Sequence, residues 1–145
     1  MLLPIAGVSC KELREHHFTE DGVYPLRPDN QTQFDVRCDM TTEGGGWEVF
    51  QRRVDGSVSF TQDWLKYKNG FGDLEGEFWL GNEKMHRLTN ARPVILRVDL
   101  ADFENGKAYV EYSSFSVSDE QSGYRLSISG YSGTGGTALN ERKYF

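Results

Sequence analysis

The stretch that most constrains this chain runs from Cys38 to Thr89. It holds all three tryptophans, Trp47, Trp64 and Trp79, and begins at one of the two cysteines. Aromatic side chains bury the most area per residue, so a small domain tends to set its core around them. Gly44, Gly45 and Gly46 stand directly before Trp47. Three successive glycines admit positive φ or a close approach by another part of the chain, at an entropic cost that Trp47 and the strand after it are expected to offset.

The remaining local signals can be taken in order. Ser9 is placed to cap a short polar helix reaching His17. Val23, Tyr24 and Leu26 read as a short strand between the turn residues Asp21-Gly22 and Arg27-Pro28-Asp29-Asn30. Phe34, Val36 and Cys38 alternate with Asp35 and Arg37, the pattern of a half-buried strand. Trp47 to Val54 and Ser57 to Phe60 read as two strands joined by Asp55-Gly56 in a type I′ turn. Thr61 is expected to cap a helix carrying Trp64, Leu65 and Lys68, ended by Asn69-Gly70. Phe71 to Glu77 reads as a glycine-rich link and Phe78-Trp79-Leu80 as an apolar anchor. Asn82 is then expected to cap a helix with Met85 and Leu88 facing inward. Val94, Leu96, Val98 and Leu100 alternate as a strand with one covered face, and Asn105-Gly106 turns it into Ala108 to Phe115. Tyr124, Leu126 and Ile128 alternate again, and Ser129 to Gly136 reads as a loop. The sum is an α+β domain built on an antiparallel sheet with short helices.

Composition narrows the function classes. The 145 residues fit one domain, which would bury roughly 68–70% of the surface its unfolded chain exposes. A charged fraction of 26% with 37% apolar residues argues against disorder. A net charge of −6 argues against phosphate binding, which rests on clustered Lys and Arg, so no nucleic-acid partner is expected. No apolar run is long enough to span a bilayer, and no membrane association is expected. Met1 to Gly7 lacks the basic region and long apolar stretch of a signal peptide, so the chain is expected to carry no export signal of its own.

The chemistry-bearing residues are few. Cys10 and Cys38 are the only cysteines. They read as a disulfide, against a reactive thiol or a metal pair. The metal reading lacks a second Cys pair or a close Cys/His pair to complete four ligands. Asn30-Gln31-Thr32 is a sequon, which makes Asn30 a candidate glycosylation site and is compatible with secretion. His16-His17 is the only histidine pair, and neighbours on a helix point apart, which suits shared ligation poorly. Gly133 to Ala138 fits G-x-G-x-x-A, but a dinucleotide fold would need a helix and a distal acid after it, so a plain loop is expected. Asp99, Asp102, Glu104, Asn105 and Gly106 invite a calcium-loop reading, but Ala101 and Phe103 occupy ligand positions, so a hairpin turn is expected. No G-x-S-x-G elbow occurs and no spacing singles out a carboxylate pair, so no enzymatic activity is expected. Trp64, Tyr67 and Phe71 could line a sugar platform; their helical spacing reads instead as core.

The runs CDMTTEGGGWEVFQRR, DGSVSF, FGDLEGEFWLGNEKMHRLT, RVDLADFENGKAYVEYSSFSV and GYRLSISGYSGTGGTAL, in that order, resemble the fibrinogen-like domain. The resemblance covers the chain from Cys10 to about Leu139. It implies a small disulfide-linked N-terminal subdomain, over about residues 8–45, and a central twisted antiparallel sheet with short helices, over about residues 46–140. It also implies the link between Cys10 and Cys38. The family's Asp-rich calcium loop, second cysteine pair and tryptophan-rich pocket segment have no counterpart before Phe145. The expectation is therefore a chain without the C-terminal pocket subdomain, without a calcium site or other cofactor, and with no ligand-binding residue to carry over. In the family the final segment pairs within the central sheet. A homodimer through unpaired sheet edges, or a rearranged tail including Lys143 to Phe145, is expected to stand in for it. The implied role is a secreted, non-catalytic recognition module binding microbial surface glycans or acetylated groups. The alternative is a protein-interaction or assembly domain of clotting, matrix or growth-factor-ligand type, with a protein receptor as partner.

Overall fold

The structure, a computed structural model, describes residues 6–136. Within them, antiparallel strands alternate with short helices, as expected of an α+β chain, and the strands fall into three sheets of three strands each. The chain forms two compact units, divided between Arg87 and Leu88.

The first unit opens with α1 (Cys10–Glu15), whose N-cap is Ser9: its Oγ accepts from the Glu12 amide at 3.0 Å. Strands β1 (Gly22–Leu26) and β2 (Phe34–Asp39) pair antiparallel, with Tyr24 opposite Val36. The alternation expected of β2 is observed, with Val36 and Cys38 buried. Strand β3 (Trp47–Val49) pairs on the other side of β2, Cys38 opposite Glu48. The disulfide Cys10–Cys38 ties α1 to this sheet, with Cα atoms 5.6 Å apart. Two hydrogen bonds add to it: the Cys10 amide donates to Glu48 Oε1 at 3.0 Å, and Arg14 Nε donates to the Met40 carbonyl at 2.9 Å. This packing explains the glycine triplet. Gly45 and Gly46 both have positive φ, and a Cβ on Gly45 would collide with the Met40 carbonyl oxygen. A Cβ on Gly46 would sit 2.8 Å from the Lys11 Cα.

Beyond Val49 the expected long strand breaks. Residues β4 (Gln51–Arg52) pair with β6 (Phe78–Trp79), which also pairs with β5 (Phe71–Gly72). Ser57 to Phe60 form no strand, and Asp55-Gly56 makes no type I′ turn, since only Gly56 of the pair takes positive φ. Helix α2 (Trp64–Asn69) is capped by Asp63 rather than Thr61: the Asp63 carboxylate accepts from the Lys66 amide at 2.9 Å. Trp79 is buried, whereas Trp47 is half-buried and Trp64 is 50% exposed. The core of this region therefore forms around Phe78, Trp79, Leu80 and Met85 and not around all three tryptophans. Helix α3 (Asn82–Ala91) follows, with Met85 and Leu88 both buried, and crosses the boundary between the units.

The second unit is a meander of β7 (Leu96–Ala101), β8 (Lys107–Val117) and β9 (Leu126–Gly133), with β8 central. Its core contains Leu96, Val110, Tyr112, Phe115, Val117, Tyr124 and Leu126. Two expectations are corrected. Leu100 is 49% exposed, so the covered face of β7 ends before it. Strand β9 runs into the segment expected to be a loop, because the glycines there are absorbed by the ladder: Gly133 pairs with Val110, and Gly130, at φ 75°, falls where the register skips a pair. Thr137, Ala138, the pair Arg142-Lys143 and the tail to Phe145 lie outside the described residues.

The disulfide closes a loop between positions 28 apart in sequence. Constraining the unfolded chain by a loop of that length stabilises by roughly 3–4 kcal/mol in the chain-entropy model. A Cys10→Ser/Cys38→Ser double variant is expected to lose about that much, read from urea unfolding midpoints, and reductant is expected to lower the native protein to the same level without affecting the variant.

Candidate recognition surface

Two sets of residues in the first unit combine a rigid support with an exposed polar or apolar tip. The first is organised by Glu77. Its side chain is only 3% exposed. Oε2 accepts from the amides of Val54, Asp55 and Gly56 at 2.6, 2.8 and 2.9 Å, and Oε1 accepts from Val58 at 3.0 Å. Four backbone donors around one carboxylate stabilise its charge, and they hold the Glu77 pKa down to about 2. The same bonds explain why residues 57–60 are not a strand: their neighbouring amides are spent on a side chain some twenty positions away.

The loop so held leads into an aromatic cluster. Phe60 packs edge-on to Phe71, and Phe71 to Tyr67, with centroids 4.9 and 5.0 Å apart. Tyr67 packs on Trp79 at 5.5 Å, and Phe50 on Trp79 at 5.6 Å. Hydrogen bonds fix the polar ends: Tyr67 Oη donates to the Phe60 carbonyl at 2.6 Å, and Trp79 Nε1 donates to Asn82 Oδ1 at 3.0 Å. Arg53 lies over the Phe60 ring, 3.9 Å from its centroid. Although Tyr67 is packed into this cluster, Trp64 and Leu65 on the same helix are 50% and 61% exposed. Tyr67 and Phe71 are thus packed as expected, whereas Trp64 is not part of the core.

The second set is the turn between β1 and β2. Arg87 grips Asp29 through two hydrogen bonds, Nε to Oδ2 at 2.9 Å and Nη2 to Oδ1 at 2.6 Å, and Nη2 also donates to the Thr32 carbonyl at 2.7 Å. Its guanidinium stands over Phe34, 4.8 Å from the ring centroid. The hydrogen bond from Arg87 holds the Asp29 pKa down to about 2. Arg27 closes the turn by donating to the Gln31 carbonyl at 2.9 Å. Arg27 and Asn30 to Gln33 line a shallow cleft of about 570 Å³, and Asn30 and Thr32 are both exposed.

The residues weighed for catalysis or metal binding are not brought together. His16 ends α1, His17 follows it at φ 73°, and His86 lies in α3. Among the described residues, no group of three or more His, Cys, Asp or Glu side chains is placed to hold a metal ion. The Asp102–Gly106 segment is the hairpin turn of β7 and β8, and Asp102 Oδ1 accepts from the amides of Glu104 and Gly106 at 2.9 and 2.7 Å. Sequence reasoning passed over Glu77 and Arg87. Both act on groups far away in sequence, so no local spacing signals them.

The family model for the C-terminal globular domain of fibrinogen beta and gamma chains matches residues 6–145. This chain belongs to that family. It is 49% identical to ryncolin-4 of Cerberus rynchops over 126 residues, covering 87% of this chain and 36% of that protein. It is 52% identical over 126 residues to fibrinogen C domain-containing protein 1 of Homo sapiens, covering 83% of this chain and 27% of that protein. The chain thus spans about a third of the length of these relatives. Among solved structures, the fibrinogen-like globe domain of human ANGPTL6 superimposes with a TM-score of 0.88 at 40% identity, covering 96% of this chain and 63% of that chain. A lamprey fibrin D-dimer, complexed with the peptide Gly-His-Arg-Pro-amide, gives 0.85 at 41% identity, covering 92% of this chain and 43% of that one.

Both carboxylates have folded-state pKa values below their unfolded ones, so their contribution is complete above pH ~4.5 and is lost as pH falls towards about 2. Unfolding midpoints measured from pH 6 to pH 2 are expected to fall in that window, and a Glu77→Gln/Asp29→Asn variant is expected to be less stable at pH 6 with a flatter acid limb.

Proposed function

We propose that this chain is a secreted, non-catalytic recognition module that binds microbial surface glycans, acetylated sugars among them. The observation that carries the reading is the half-exposed Trp64 beside Leu65 on a helix fixed from behind by the Tyr67–Phe71–Trp79 cluster. A half-exposed indole on a supported helix can stack on the apolar face of a sugar ring. Family membership supports the recognition role. The disulfide supports an oxidising, extracellular setting. Asn30 then serves as an N-glycan attachment site, since its sequon lies on an exposed turn. Cofactor, calcium, nucleic acid and membrane have no part in this reading. No helix among the described residues is long and apolar enough to cross a membrane.

A second reading is a protein-interaction or assembly domain. It is favoured by the likeness to the lamprey fibrin D-dimer, which holds a short peptide. Binding assays separate the two. The chain is expected to bind acetylated beads or bacterial wall polymers equally well with calcium and with chelator. Trp64→Ala is expected to weaken that binding ~10-fold, about 1.4 kcal/mol. Strict calcium dependence, or unchanged binding by the variant, would overturn the glycan site; capture of a protein receptor without glycan binding would favour the second reading.

A further inference from the structure

The sequence holds two Asn-Gly pairs, Asn69-Gly70 and Asn105-Gly106. Asparagine is chemically labile, and a glycine after it leaves the next amide without a Cβ to cover it. The two pairs stand in different surroundings. Asn69 ends α2, where the Gly70 amide donates to the Lys66 carbonyl at 2.7 Å and the Asn69 carbonyl accepts from Lys84 Nζ at 3.0 Å. Asn105 stands in the turn between β7 and β8 at φ 66°, and every residue from 101 to 107 is exposed. Water therefore reaches the second pair from all along the turn.

One side chain restrains that pair. The Gly106 amide donates to Asp102 Oδ1 at 2.7 Å, and the Gly106 carbonyl accepts from the Asp102 amide at 3.0 Å. The same Oδ1 accepts from the Glu104 amide at 2.9 Å, which fixes the carboxylate in place. A Cβ at position 106 would collide with Asp102 Oδ2. The carboxylate that shapes the turn thus demands glycine after Asn105, and the labile pair comes with it.

We propose that Asn105-Gly106 is a self-modification site, at which Asn105 converts through a succinimide to aspartate and isoaspartate, and that Asp102 is its guard. The Gly106 nitrogen, its proton passed to solvent, attacks Asn105 Cγ. The new N–Cγ bond forms as the Cγ–Nδ2 bond breaks, and the amide group takes up a proton and leaves as ammonia. Water then opens the ring at either carbonyl. No oxidation state changes, and water is the only co-reactant. Asp102 opposes the first step in two ways. Its hydrogen bond holds the proton that must depart, and bonds to a charged acceptor are the stronger kind. Its negative charge also disfavours a second anion on the neighbouring nitrogen. Opening of the ring towards isoaspartate lengthens the main chain by one carbon, in a turn whose register sets Ala101 opposite Lys107. It also puts a carboxylate near those of Asp102 and Glu104. Conversion is therefore a one-way loosening of the hairpin.

The test is peptide mapping by mass spectrometry after incubation of the folded 145-residue chain in neutral buffer. The mass gain of exchanging NH for O is followed at both Asn-Gly pairs, with folding checked by circular dichroism. Asp102→Ala is expected to convert Asn105 ~10-fold faster than wild type, the worth of a lost hydrogen bond to a charged group. Asp102→Asn keeps an acceptor without the charge and is expected to fall between them. Asn69 is the internal control and is expected to keep its wild-type rate in both variants. In wild type, unfolding in urea is expected to speed Asn105 by at least the same factor. Unchanged conversion of Asn105 in Asp102→Ala would overturn the guard. Equal acceleration at Asn69 would overturn it too, since general opening of the chain would then be the cause. An Asn105 that stays intact in every form would overturn the site itself.

Discussion

The covalent link between Cys10 and Cys38 is the constraint on which the amino-terminal part of the structure depends. Helix α1 has six residues, too short to persist in water by its own hydrogen bonds. Only two of those residues, Cys10 and Leu13, are buried. Sulfur joins the helix to the central strand of a three-stranded sheet, and the Glu48 and Arg14 hydrogen bonds then set its direction. The positive φ values at Gly45 and Gly46 follow from the same contact, because the chain must return beneath the helix where no Cβ fits.

Much of this was legible before the structure, and the misses have a common cause. Alternation predicted β2, the Ser9 cap predicted the start of α1, and the ordered motif runs pointed to the family that the comparisons then showed. Local patterns failed where a distant group took over the backbone. Ser57 to Phe60 alternate like a strand, yet the carboxylate of Glu77 has already taken the amides around Gly56. Periodicity on α2 showed that Trp64 and Tyr67 are near one another in sequence, but not which of them faces the interior. On β7 the alternation continued to Leu100, although the covering chain did not.

The two supported tips of the first unit differ in character. Around Asp29 and Arg87 the anchor is ionic and the exposed groups are amides and a hydroxyl, suited to carrying an attached glycan. Around Glu77 the anchor is a carboxylate on backbone donors, and the exposed groups near α2 are indole and alkyl, suited to contact with a ligand. In each case the carboxylate that organises the site is bound by donors of the protein, while charged side chains such as Arg27 and Arg53 stay exposed beside it.

Glu77 holds its loop through main-chain nitrogen atoms alone. That grip is indifferent to which side chains stand at positions 54, 55, 57 and 58, provided none of the donors becomes proline, whereas position 56, at φ 77°, favours glycine. The segment can therefore accumulate substitutions while its path through space stays put. Such a carboxylate is a fixed mount for a replaceable surface.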